Sequence, residues 1–206
     1  MKDVPKIIQA IKHHVSYRKR KSNPFEVLIF TVLSQRTRDE NTEKASQQLF
    51  SKFNTPSKLA DAEIKEVERL IRPSGFFKVK ARYVKAISKE IVRRFDGKVP
   101  NKLEDLLSLP GVGRKTANCT LVYGFNVPAI PVDTHCHRIP NRIGLIKTKT
   151  PEQSEFALMK VIPKKYWIKF NDLIVKFGQN VCLPINPKCG ICKVAPYCDY
   201  YKKSIS

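Results

Sequence analysis

The sequence predicts an all-α protein. Apolar residues recur at helical spacing along most of the chain, and side-chain signatures of helix starts punctuate it. No segment alternates apolar and polar as a strand would, and no hairpin dipeptide stands between apolar runs.

Taken in order, Ile7, Ile8, Ile11 and Val15 line one face of a first helix. A basic linker, Arg18–Lys21, leads into Asn23-Pro24-Phe25-Glu26, which has the chemistry of a helix start: a capping side chain, Pro in the first turn and a Glu to reach back. The following run to Leu33 is apolar on nearly every face, so this helix belongs in the core. Amphipathic stretches follow at about 43–53, 63–71, 78–95 and 101–108. Asn101 with Glu104 forms a capping-box pattern, and Thr150-Pro151-Glu152-Gln153 forms another. Two helices fit between about 146 and 178, the last closing at Gly178. Neither an internal repeat nor a low-complexity tract is present.

A chain of 206 residues holds one large domain or two small ones. Lys and Arg number 39 against 18 Asp and Glu, a net charge of +21, and such a field binds polyanions through counterion release. Nucleic acid is the expected partner. An anionic membrane surface fits less well, because the charge is spread along the chain and no amphipathic anchor gathers it. The N-terminal MKDVPKIIQAIKHH lacks a signal-peptide core, and no segment approaches the roughly 18 unbroken apolar residues of a membrane span. The expectation is a cytoplasmic, nucleoid-associated monomer.

Near the C-terminus, Cys182, Cys189, Cys192 and Cys198 follow the spacing C-x6-C-x2-C-x5-C. A compact loop can bring four such sulfurs into one shell, for a structural zinc or a [4Fe–4S] cluster. Disulfides are the alternative, disfavoured in a reducing compartment. Cys119 and Cys136 lie apart from these four and read as buried thiols.

Leu109-Pro110-Gly111-Val112-Gly113-Arg114-Lys115 lies between two helical stretches and is a helix-hairpin-helix pattern. Two glycines one residue apart let the backbone turn tightly and present amide N–H groups beside a helix start, where a phosphate can be held without reading a base. Alone, this hairpin implies DNA binding and no chemistry. Lys115 stands just inside the second hairpin helix, where the helix dipole disfavours positive charge, so a free amine there can attack carbon and form a Schiff base. Asp133, in Pro131-Val132-Asp133-Thr134-His135, is placed as a helix N-cap and becomes a catalytic candidate only in company with Lys115. His135 and His137 lack a third ligand and read as packing residues. Arg138 and Arg142 face a DNA backbone or water.

The segments 109–118 and 132–145 and the four-cysteine loop occur in the order seen in one family. From Asn23-Pro24-Phe25-Glu26 to Cys198 the chain resembles the endonuclease III family, the iron–sulfur branch of the helix-hairpin-helix DNA glycosylases. The resemblance implies a six-helix barrel over 22–126 and a discontinuous cluster domain, 1–21 with 127–206, carrying a [4Fe–4S] cofactor on the four cysteines. It implies double-stranded DNA with damaged bases or abasic sites as partner, kinked across the cleft, with the damaged nucleotide flipped out. The residue matching Lys115 attacks the sugar C1′ and displaces the base, the residue matching Asp133 assists, and β-elimination cuts the strand 3′ to the abasic sugar. Oxidised pyrimidines of the thymine glycol type are the implied substrates. Leu109, Gly111, Gly113 and Arg114 match the DNA-gripping hairpin, and Lys188 and Lys193 fall in or beside the cluster loop.

Two positions depart from the family pattern. The glutamine that fills the gap left by the flipped base aligns with Arg36, whereas a glutamine stands one place earlier, at Gln35. If both lie on a helix they diverge by about 100° and cannot reach the same gap. Phe76 stands where the family wedges the opposite strand with an apolar residue; it reads equally as a wedge or as a core aromatic. A glycosylase for thymine or uracil opposite guanine is the rival within the enzyme class. A non-catalytic DNA-binding protein with a metal loop is the rival outside it.

Overall fold

The computed structural model describes residues 2–17 and 23–205, and every regular element among them is helical. The basic linker Arg18–Lys21 lies outside the described residues. In chain order the α-helices are α1 (Val4–Lys12), α2 (Pro24–Ser34), α3 (Asp39–Phe50), α4 (Pro56–Asp61), α5 (Ile64–Leu70), α6 (Phe77–Phe95), α7 (Leu103–Leu107), α8 (Arg114–Cys119), α9 (Thr134–Ile143), α10 (Pro151–Val161), α11 (Trp167–Asn180) and α12 (Asp199–Ile205). Contacts divide the chain into two compact units, Lys21–Val127 and Met1–Arg20 with Pro128–Ser206. Among the described residues no helix is long and apolar enough to cross a membrane.

In the unit Lys21–Val127, α2 is the central helix. Asn23 Oδ1 accepts the Phe25 N–H at 2.8 Å, Pro24 occupies the first turn, and Phe25, Leu28, Ile29, Val32 and Leu33 are buried. Around it pack α3, α6, α8 and the π-helical turn Thr120–Gly124 that continues α8. The long helix α6 turns Ala81, Val84, Ile87 and Ile91 inward and also carries α4 and α5. The Asn101–Glu104 box does not form: α7 begins at Leu103, with Lys102 at the cap position and no side-chain cap. Residues 56–61, left between predicted helices, form α4 under a Thr55 cap whose Oγ1 accepts the Lys58 N–H at 3.3 Å. Six residues are too few to display a periodicity.

In the other unit, α1 ends at Lys12, three residues short of Val15, which packs beyond the helix against the same core. Ile7, Ile8 and Ile11 are buried there with Ile139, Leu158, Phe170, Ile174 and Phe177. The cap before α10 forms, and the side chain of Gln153 reaches back one residue beyond it. Thr150 Oγ1 accepts the Gln153 N–H at 3.2 Å, and Gln153 Oε1 accepts the Lys149 N–H at 2.9 Å. Gly178 does not close α11, which runs on to Asn180. A Cβ at 178 would lie 2.2 Å from His135 Nδ1, so this glycine permits close packing of α9 on α11 and is no stop signal.

Candidate active site

The hairpin turn joins α7 to α8 as the sequence predicts. Leu109 and Val112 are buried and anchor it, while Gly111 and Gly113 are exposed. Gly111 has φ of +72°, and a Cβ there would meet the Tyr83 ring of α6 at 2.8 Å, so both conformation and space demand glycine. Gly113 caps α8 in an extended conformation with no side-chain cap. Arg114 is half-buried at this helix start, and Lys115 follows it with its side chain exposed.

Gln35 and Arg36 are not on a helix. The last residue of α2 is Ser34; Gln35 leaves the helix with ψ of 118°, and Arg36 is left-handed with φ of 52°. The divergence of about 100° expected for helical neighbours therefore does not apply. Both are exposed. Gln35 Nε2 donates to Thr116 Oγ1 of α8 at 3.4 Å, while Arg36 stacks its guanidinium over Phe76, with Cζ 5.2 Å from the ring centroid. Phe76 is 60% exposed and left-handed (φ 57°), which removes the core-aromatic alternative.

Sequence reasoning missed the support beneath these residues. Lys80 of α6 is only 4% exposed, and its Nζ donates to Leu33 O at 2.6 Å, Thr37 Oγ1 at 2.8 Å and Ser74 Oγ at 2.9 Å. Burial lowers its pKa to about 8. The signal was available, since Lys80 continues the stripe Val84, Ile87 and Ile91 and so puts a charge at a core position.

In the other unit Asp133 is the N-cap of α9, and its Oδ1 accepts the Cys136 N–H at 2.8 Å. Burial and Arg138 hold His135 below the ordinary histidine range against the opposing pull of Asp133. His137 Nδ1 stands 2.6 Å from Ser154 Oγ, a packing contact between α9 and α10. Cys119 and Cys136 are buried thiols, and burial pushes Cys136 well up.

Arg138 and Arg142 face the protein itself. Arg138 Nη2 donates to Cys182 O at 2.8 Å, and Arg142 donates to Leu183 O at 2.7 Å and Pro184 O at 2.6 Å. They brace the start of the cysteine loop, where Lys188 and Lys193 have exposed side chains.

The four cysteines do not form the expected metal centre. Cys182, Cys189, Cys192 and Cys198 line one cavity of about 20 Å³, yet among the described residues no group of three or more His, Cys, Asp or Glu is disposed to hold a metal ion. The [4Fe–4S] and zinc expectations are corrected accordingly. Ligation requires sulfurs converging on one centre at about 2.3 Å. Two of these thiols are instead engaged by α9: Arg142 Nη1 approaches Cys182 Sγ at 3.7 Å, and Cys198 Sγ donates to Arg142 O at 3.5 Å. The spacing brought the cysteines together, but side-chain direction decides ligation.

Residues 29–164 match the HhH-GPD superfamily base excision DNA repair protein family. Endonuclease III of Thermotoga maritima is 50% identical over 184 residues, spanning 89% of this chain and 86% of its own. Among solved structures, a trapped endonuclease III–DNA covalent intermediate superposes with a TM-score of 0.89 at 33% identity, covering 98% of this chain and 96% of that one. A thermostable thymine-DNA glycosylase shares the fold at a TM-score of 0.85 and 24% identity, covering 97% and 95%.

Proposed function

That the chain belongs to the endonuclease III branch of the HhH-GPD base excision DNA repair proteins is the premise from which we propose its activity. It is a bifunctional DNA glycosylase and abasic-site lyase that excises oxidised pyrimidines from double-stranded DNA. In this reading the helices of 22–126 form the family's barrel, and the hairpin turn 109–113 holds the DNA backbone at the start of α8.

One observation carries the assignment of the nucleophile: Lys115 is exposed in the first turn of the helix that the phosphate-binding hairpin opens. A phosphate held at that turn leaves the adjacent sugar within the reach of a lysine side chain. The Lys115 amine attacks C1′ of the flipped nucleotide, the C1′–N bond breaks, and the base departs with the bonding pair. Asp133 draws the proton from the amine or stabilises the positive charge that develops on the sugar. The sugar ring then opens as the C1′–O4′ bond breaks and O4′ takes up a proton, and the resulting Schiff base between Lys115 and C1′ acidifies the C2′ proton. Its removal expels the 3′ phosphate by β-elimination, and hydrolysis returns the lysine.

Borohydride trapping on duplexes carrying thymine glycol or a bare abasic site tests this, with wild type beside Lys115→Gln. A covalent adduct on both substrates, lost in the variant, is the expected result. Trapping on the abasic site alone retains the lyase and moves the substrate to mismatched thymine or uracil. No adduct on either refutes the Schiff-base chemistry.

A further inference from the structure

A cation at a core position of a helix is costly unless its protons are all received, and Lys80 meets that condition. Its three ammonium protons have three acceptors: the last turn of α2 (Leu33 O), the turn after α2 (Thr37 Oγ1) and the turn before α6 (Ser74 Oγ). The acceptors are tied to one another as well. Ser74 Oγ donates to Leu33 O at 3.1 Å, and the Gly75 N–H donates to Thr37 Oγ1 at 3.1 Å. None of these hydrogen-bond partners is a carboxylate, so the charge is retained for its donors and forms no ion pair. Burial lowers the amine to about 8, as a desolvated cation requires.

The two turns so clamped each carry a non-glycine residue in the left-handed region, Arg36 at φ 52° and Phe76 at φ 57°. Such backbone is strained for a side-chain-bearing residue, and strain of this kind persists only where the surroundings over-determine it. The same two residues stack on each other at 5.2 Å and project outward, Phe76 with 60% of its surface exposed.

We propose that Lys80 is a positioning residue that locks the turns 35–37 and 74–76 together, so that Arg36 and Phe76 enter the duplex as one pre-stacked probe. This rests on the reading that these turns face DNA. The ordering cost of the probe is then met on folding rather than on binding. A lone flexible arginine or a lone aromatic would have to be immobilised afresh at each base step tested. Damage to the lock therefore falls on binding and discrimination more than on the covalent step.

The test is a double-mutant cycle on binding, with Arg36→Ala and Phe76→Ala singly and together, in wild-type and Lys80→Met backgrounds. Affinity is read as Kd for a duplex containing a tetrahydrofuran abasic analogue, which cannot form a Schiff base. The covalent step is read separately as the trapping rate on a natural abasic site at saturating enzyme. In the wild-type background the two truncations should be non-additive, with a coupling of about threefold or more in Kd. Lys80→Met should weaken Kd by about tenfold and abolish that coupling, while the saturating trapping rate moves far less. Thr37→Val and Ser74→Ala each remove one acceptor and should reduce the coupling partway; they carry the test if Lys80→Met does not fold. Additive truncations in wild type, or coupling that survives in Lys80→Met or in both acceptor variants, overturn the proposal. Failure of trapping with coupling intact refutes the lyase reading and leaves the lock standing. Trapping intact without coupling refutes the lock alone.

Discussion

Asp133 carries a structural duty and a proposed chemical one, and a single substitution separates them. Its carboxylate caps α9 through the Cys136 N–H, a role that asparagine fills about as well. Asp133→Asn should leave urea-unfolding stability within about 0.5 kcal/mol of wild type, while the trapping rate falls by about a hundredfold. Asp133→Ala should lose the cap as well, costing about 1 kcal/mol. A different test applies to Lys80, whose folded pKa is about 8 against an ordinary 10.5. Between those values the unfolded chain holds a proton that the folded chain has released. The cost of the buried charge is thus full below about pH 8 and fades as pH rises through the window. The stability of wild type relative to Lys80→Met should increase from about pH 8 to about pH 10 in urea unfolding, and a flat difference would mean the amine is not desolvated. At Gly111 a methyl group meets both a positive φ and the Tyr83 ring at 2.8 Å. Gly111→Ala should weaken duplex binding by about tenfold, read by fluorescence anisotropy, as strain of 1–2 kcal/mol reshapes the turn.

At the scale of elements, α9 organises its unit from both ends. Its N-terminus carries the capping Asp133, and its last turns send Arg138 and Arg142 into the carbonyls of 182–184. Arg142→Ala should destabilise that loop by about 2 kcal/mol through the loss of charge-assisted hydrogen bonds, visible as faster amide hydrogen exchange over 183–188. Helix boundaries were legible where a cap carried them. Asn23 and Thr150 fixed the starts of α2 and α10, because a side-chain oxygen at a helix start is a local interaction. Asn101 misled because α7 starts two residues later, at Leu103, with Lys102 at its cap. Gly178 misled because a glycine serves equally as a stop and as a gap for a neighbouring helix, and only the approach of His135 distinguishes the two. Arg138 and Arg142 read from the sequence as facing a DNA backbone or water, whereas both donate to carbonyls of the protein. An arginine on a helix face gives no sign of the carbonyls that a distant loop will bring to it.

For the whole molecule, a net charge of +21 makes polyanion binding a field effect as much as a matter of contacts. Affinity for undamaged duplex should fall by about a thousandfold between 50 and 200 mM salt, as expected when six or more phosphates are neutralised, and a shallow slope in an anisotropy titration would refute a backbone grip of that size.

Local patterns sufficed for the helical class, the hairpin turn, the cap at Asp133 and the family likeness, since caps, tight turns and apolar periodicity act within a few residues of chain. Tertiary structure alone decided whether proximity in sequence became function. Four cysteines drawn around one cavity form no group, among the described residues, that is disposed to hold a metal ion. Gln35 and Arg36 parted company where α2 ended, and Arg36 met Phe76 from forty residues away through a buried lysine that no motif marks. The direction of a side chain depends on the partners that packing supplies, and those partners come from elements distant in sequence.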